Sequence, residues 1–103
     1  MNYKLIVSAE ANNQLDNIIF YIMNKLKNPE AASEILDDIL NSYEIIEKFP
    51  ESFPMCDDPY LAKKEYRKCI LAHYDYVILY LICDDCIKIS GIFHARENYI
   101  KKL

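Results

Sequence analysis

The side chains best suited to chemistry gather in the last third or so of this 103-residue chain. Arg67 carries a permanent planar cation that can grip a phosphate through two parallel hydrogen bonds. His94 is the residue type whose charge changes near neutral pH, so it can give or take a proton there. Arg96 and Tyr99 follow closely and add a second cation and a phenol. Lys63, Lys64 and Lys68 stand around Arg67 and would attract a polyanion. Each of these residues also has an ordinary structural reading. Arg67 can anchor a loop or the C-terminal tail, for instance through Glu97, and His94 can be a hydrogen-bonded strand-end residue. His73 is expected at the surface near a turn. Tyr74, Tyr76 and Tyr80 are expected to pack in a sheet rather than to stack on bases.

The cysteines are Cys56, Cys69, Cys83 and Cys86. Cys83-Asp84-Asp85-Cys86 has the spacing of a zinc knuckle or a redox pair. Zinc would need two further ligands, and Cys56 and Cys69 do not supply a second such pair. A redox pair normally opens a helix whose N-terminus lowers the thiol pKa. This one straddles a hairpin turn at Asp84-Asp85, so both cysteines are expected to be small apolar strand-end residues. No metal site and no cofactor is expected. The N-terminal residues alternate too strictly to resemble a secretory signal, so the chain is read as cytoplasmic and its thiols as reduced.

These groups must be positioned by elements that the hydrophobic pattern outlines. Tyr3, Leu5 and Val7 alternate with Lys4 and Ile6, which predicts a short strand. Ser8 then caps a helix, with Glu10 favoured by its dipole. Ala11, Leu15, Ile18, Ile19, Ile22, Met23 and Leu26 fall on one stripe of that helix. Asn28-Pro29 starts a second helix, with the stripe Ala32, Ile35, Leu36, Ile39, Leu40, Tyr43, Ile46 and Phe49, stopped by Pro50. With almost nothing between them, the two helices should form an antiparallel hairpin. Residues 50–65 carry three prolines and no period, and predict an ordered surface loop. Three strands are predicted at about 66–72, 76–83 and 86–93, the middle one apolar on both faces. Gly91, the only glycine, interrupts the last and marks a bulge or a close backbone approach. Residues 95–103 predict a short helix or an extended arm. The order β-α-α-β-β-β(-α) is α+β: a helical hairpin on a small, mostly antiparallel sheet, with residues 1–103 as one domain.

Composition narrows the function classes. At 52% hydrophobic residues the chain can fill a core, which excludes a disordered protein, and no apolar run reaches the ~20 residues of a membrane span. The net charge is −4, but residues 1–60 hold four lysines against eleven acids, whereas residues 61–103 hold eight cations against five. A basic C-terminal half therefore sits on an acidic N-terminal half. Such an overall balance lacks the strongly basic signature of a dedicated nucleic-acid binder.

Three local patterns, in this order, resemble the RelE/ParE superfamily of bacterial toxins. The first is Ala11-x-x-x-Leu15-x-x-Ile18-x-x-Tyr21-Ile22 followed by Asn28-Pro29-x-Ala31-Ala32. The second is Phe49-Pro50-x-x-x-Pro54. The third runs from Tyr66-Arg67-Lys68 through His73-Tyr74-Asp75-Tyr76-Val77-Ile78-Leu79-Tyr80 to Ile87-x-Ile89-x-x-Ile92-x-His94-x-Arg96-x-x-Tyr99. The resemblance spans nearly the whole chain. It implies a poison neutralised by a cognate antitoxin, in a heteromeric complex away from the membrane. RelE-like members cleave mRNA on the ribosome, whereas ParE-like members inhibit DNA gyrase and lack the nuclease residues. For metal-free RNA cleavage a base, a phosphate-binding cation and an acid must converge, and Arg67, His94, Arg96 and Tyr99 are the candidates if their strands are sheet neighbours. Active nucleases of the superfamily commonly carry Arg directly after the tyrosine that starts the central strand. Val77 stands there instead, and net negative charge repels a ribosome. The resemblance therefore favours gyrase inhibition. An mRNA endonuclease and a non-toxic binding module are the alternatives.

Overall fold

The computed structural model describes residues 3–103. Strand β1 (Lys4–Val7) leads into helix α1 (Ala9–Asn24), and helix α2 (Pro29–Lys48) follows. Both helix starts are set locally. Ser8 Oγ accepts a hydrogen bond from Ala11 N at 3.0 Å, and Asn28 Oδ1 accepts one from Ala31 N at 3.1 Å. Each cap satisfies a backbone donor that a helix start leaves free, which is worth about 1 kcal/mol. Pro29 fills the first turn of α2, where its missing N–H costs nothing.

The remaining elements are helix α3 (Pro59–Lys63), strands β2 (Arg67–Ile70), β3 (Tyr76–Ile82) and β4 (Cys86–His94), and a 3-10 turn at Tyr99–Lys102. The sheet order is β1-β4-β3-β2. β1 runs parallel to β4, and the other two pairings are antiparallel. The mostly antiparallel sheet under a helical hairpin is the architecture that the hydrophobic pattern predicts. The short α3 was not predicted, although its signal was present: Asp58 Oδ1 caps Leu61 N at 3.0 Å and Pro59 takes the first turn. The segment is also more than a surface loop, because Cys56 and Leu61 are buried.

Each sheet face has its own core. Cys69, Ile78, Tyr80, Ile87, Ile89 and Ile92 pack against Ala11, Ile22, Ala32, Ile35, Ile39 and Ile46 of the helices. On the other face Val77, Leu79 and Phe93 pack with Cys56 and Leu61, flanked by half-buried Tyr66, Tyr99, Ile100 and Leu103. Burial on both sides explains why β3 is apolar throughout. Not all of the predicted helical stripes is used. Met23 and Leu26 of α1 and Leu36 and Leu40 of α2 are exposed, as are Phe20 and Phe49.

Gly91 fulfils both readings of its position. The β3–β4 register slips between Leu79 and Tyr80, so that Leu79 faces Gly91, Tyr80 faces Ile89, and Ser90 bulges out. A Cβ at Gly91 would lie 2.3 Å from Phe93 Cε2 and 2.6 Å from its Cζ. Beyond the end of β1, the Ile92 N–H is satisfied by a side chain instead of a strand: Gln14 Oε1 of α1 accepts it at 2.8 Å. The bulge is thus where α1 is fastened to the sheet, with Ser8 N donating to Ile89 O at 3.0 Å.

Candidate functional site

The structure does not bring the predicted residues together as one constellation. Arg67 pairs with Tyr80 and His94 pairs with Tyr76, so both lie on the face toward the helices. However, β2 and β4 are not neighbours, because β3 lies between them. Two strand spacings of about 4.8 Å and four residue steps of about 3.3 Å place their Cα atoms roughly 16 Å apart. Lys68 pairs with Leu79 and therefore belongs to the opposite face, where Tyr99 also packs. Arg67 and His94 therefore stand apart on one face, while Lys68 and Tyr99 lie on the other.

Arg67 serves the loop after α2. Its Nη1 donates to Phe53 O at 2.7 Å and, at the long distance of 3.5 Å, to Glu51 O. Tyr80, fully buried beneath it, donates from its hydroxyl to Pro50 O at 2.7 Å. Burial pushes the Tyr80 phenol up to about 12, with Arg67 pulling the other way. Of the two readings open to Arg67, these contacts are those of an anchor, with backbone carbonyls and not Glu97 as its partners. The reason is the register, which sets Arg67 over Tyr80 and beside residues 50–53.

His94 is held at a turn. Its Nδ1 accepts from Arg96 N at 3.2 Å, and its own N–H donates to Glu97 Oε1 at 2.9 Å. An accepting Nδ1 leaves the proton of the neutral ring on Nε2. The imidazole meets the Tyr76 ring edge-on at 5.4 Å and lines a hollow of about 290 Å³ with Ile22, Leu26, Ile35 and Tyr74. Glu97 also accepts from Lys102 Nζ at 2.6 Å. Partial burial raises its pKa, but Lys102 and the His94 N–H outweigh that and leave it below the ordinary carboxylate value. Arg96 is exposed. His73 is exposed as expected and pairs with Asp38 at 2.8 Å, while the Tyr74 hydroxyl donates to Glu34 at 2.8 Å. Tyr76 and Tyr80 pack against the core as expected.

The lysines form a surface and not a pocket. Lys63 and Lys64 are exposed on or just after α3, and Lys64 Nζ sits 4.6 Å above the Tyr60 ring. Lys68 Nζ pairs with Asp57 at 3.1 Å, where the Asp57 side chain is 93% exposed. That hydrogen bond raises the Lys68 pKa, and the Tyr99 phenol acts in the same direction. Exposed pairs of this kind hold little energy, so these cations can exchange partners for those of a docking macromolecule. Lys88 and Lys102, not singled out from the sequence, line a hollow of about 250 Å³ with Tyr66 and Ser90. The alternation in β4 was the available signal for Lys88, which is exposed between Ile87 and Ile89.

The cysteines divide into two kinds. Cys56 and Cys69 are buried, and burial is the first cause raising both thiols. Cys83 is exposed and Cys86 half-buried, so the apolar strand-end reading fails for Cys83. Cys83 lies just past Ile82, the last residue of β3, where the turn stands in solvent.

Comparison with known proteins agrees with this architecture. A solved structure described as the chromosomal ParDE toxin–antitoxin system from P. aeruginosa superposes with a TM-score of 0.76 at 18% identity, covering 91% of this chain and 97% of that one. At that identity the likeness speaks for the fold. Curated protein sequences contain no match. The sequence profile of the ParE toxin of type II toxin–antitoxin systems, parDE, matches residues 5–99. With nearly the whole chain matched and the helical hairpin seated on its mixed sheet, the chain belongs to the ParE toxin family of type II toxin–antitoxin systems.

Proposed function

We propose that this toxin acts by binding and not by cleavage: it inhibits DNA gyrase and is neutralised by a cognate antitoxin. One observation carries the reading. Val77, at the position where nuclease relatives carry arginine, is 3% exposed and lies in the apolar cluster with Leu79, Phe93 and Leu61. A cation there would be buried among apolar neighbours without a partner, which is costly. The scattering of Arg67, His94 and Tyr99 supports the same conclusion, since acid–base catalysis requires groups within hydrogen-bond reach of one reacting centre.

The unspent apolar surface supports the antitoxin half of the proposal. Phe20, Met23 and Leu26 of α1 and Leu36 and Leu40 of α2 are exposed on the two helices, and such exposed apolar groups mark protein contacts. The basic lysines on the other side suit an acidic segment. The experiment is induced expression of wild type, Arg67→Ala and His94→Ala. Growth arrest with a DNA-damage response and intact mRNA, together with lost supercoiling by purified gyrase, is expected. Ribosome-dependent mRNA cuts abolished by either substitution would overturn the proposal in favour of an endonuclease. Absence of arrest, with no stable complex with the adjacently encoded protein, would leave a non-toxic binding module.

A further inference from the structure

The turn between β3 and β4 carries chemistry that the proposed binding role does not use. Cys83 and Cys86 flank Asp84-Asp85, and Cys83 N donates to Cys86 O at 2.8 Å. They therefore continue the antiparallel ladder one step beyond the Ile82–Ile87 pair. Residues opposite one another in such a pair have Cα atoms about 5.5 Å apart and side chains on one face. A disulfide needs Cα atoms about 4.4–6.8 Å apart, most often near 5.5–6 Å. The two thiols also hydrogen-bond to one another, so closing the bond asks only for a small adjustment of the turn that brings the Cβ atoms together. The exposed Cys83 is open to a reagent, whereas the half-buried Cys86 is placed to resolve what forms on it.

We propose that Cys83 and Cys86 are a reversible dithiol–disulfide pair, oxidised by a neutral low-molecular-weight disulfide. The Cys83 thiolate attacks one sulfur of that reagent, forming a mixed disulfide and releasing one small thiolate. Cys86 then loses its proton, and its sulfur attacks the Cys83 sulfur, closing the ring and releasing the second. The protein loses two hydrogens, and the reagent is reduced to two thiols. The order of attack fits the surroundings: the Cys86 thiol is held above its ordinary value, first by its hydrogen bond to Cys83, then by burial and by Asp85 and Asp84. The same two carboxylates repel an anionic oxidant, which is why the reagent is a neutral one.

Ring closure would fix the turn on which the N-terminal strand docks. Lys4 N donates to Asp85 O at 3.0 Å, and Lys4 is the register partner of Cys86. The test treats the native full chain with 2-hydroxyethyl disulfide and follows intact mass and peptide maps. Wild type is expected to lose two hydrogens at Cys83–Cys86, leave Cys56 and Cys69 as thiols, and recover on reduction, with slowed amide exchange at Lys4 in the oxidised form. Cys86→Ser is expected to trap one hydroxyethylthio adduct on Cys83. A stable adduct on wild-type Cys83, a Cys83-linked dimer, or reaction of Cys56 and Cys69 as fast as Cys83 would each overturn the proposal. So would a native chain that does not react at all.

Discussion

Replacing Gly91 by alanine tests how the two sheet faces and the C-terminal segment are coupled. The new Cβ would stand 2.3 Å from Phe93 Cε2, so the ring must retreat by about 1 Å to reach ordinary contact. It has little room to do so. Phe93 is 2% exposed, packs with Val77, Leu79 and Leu61, and stacks on Tyr99 with ring centroids 5.4 Å apart and planes 19° from parallel. Overpacking of this kind costs about 1–3 kcal/mol. Removing a glycine from the unfolded ensemble returns about 0.4–1 kcal/mol. The net destabilisation is therefore about 1–2 kcal/mol, or a fall in Tm of roughly 5–15 °C for a domain of this size. Urea denaturation followed by tyrosine fluorescence measures it, since the chain has no tryptophan. The decisive comparison is a double-mutant cycle with Phe93→Leu, which deletes the two clashing ring atoms. Gly91→Ala should then cost at least about 1 kcal/mol less in the leucine background. An equal cost in both backgrounds would refute the steric account, and no cost in either would show that the ring moves freely.

Other expectations follow from the same contacts. Arg67→Ala removes the donor from the partly buried Phe53 carbonyl and should destabilise by about 1.5–3 kcal/mol. Growth arrest, normalised to folded protein, should survive this change; its complete loss at normal folding would contradict an anchoring role. Burial raises Tyr43 and Tyr80 to about 12. Stability from these phenols is fully present below the ordinary tyrosine value near 10 and should be lost as pH rises from there toward 12. Ultraviolet titration of the nine tyrosines should show Tyr43 and Tyr80 ionising last, and simultaneous ionisation of all nine would rule this out. Glu97 behaves oppositely: its lowered pKa contributes stability above the unfolded carboxylate value that is lost as pH falls through the folded one. Glu97→Gln should flatten that acid limb, and an unchanged limb would assign it elsewhere. Finally, Lys63→Glu, Lys64→Glu and Lys68→Glu combined should weaken target or antitoxin binding at least tenfold with little change in Tm, read by calorimetry. Undiminished affinity for both would remove the lysines from the docking surface.

Much of the fold was legible because it depends on local rules. Ser8 and Asn28 had to cap whatever followed them, and Pro50 had to end α2, since these effects act within one helical turn. The apolar run 76–82 declared a strand covered on both faces. The solitary glycine marked a bulge or a close approach, because glycine weakens a strand interior unless a local need of that kind requires it. The stripes along α1 and α2 were visible too, but which of their residues would stay exposed was not. Exposure of Met23, Leu26, Leu36 and Leu40 depends on how the helices sit across the sheet, a property of no single segment.

The candidate site shows the complementary case. Residue identity alone fixes which groups exist: a guanidinium at 67, an imidazole at 94, lysines at 63, 64 and 68, and valine where a nuclease would want a cation. Their residue types follow from covalent structure alone. Whether they meet was decided by strand order, which placed β3 between β2 and β4 and so held Arg67 and His94 roughly 16 Å apart. Register then turned Lys68 to the opposite face, with Tyr99, and directed Arg67 toward the carbonyls of residues 51 and 53. Side-chain chemistry is local, whereas convergence depends on long-range pairing between segments distant in the chain, which only the packed tertiary structure settles.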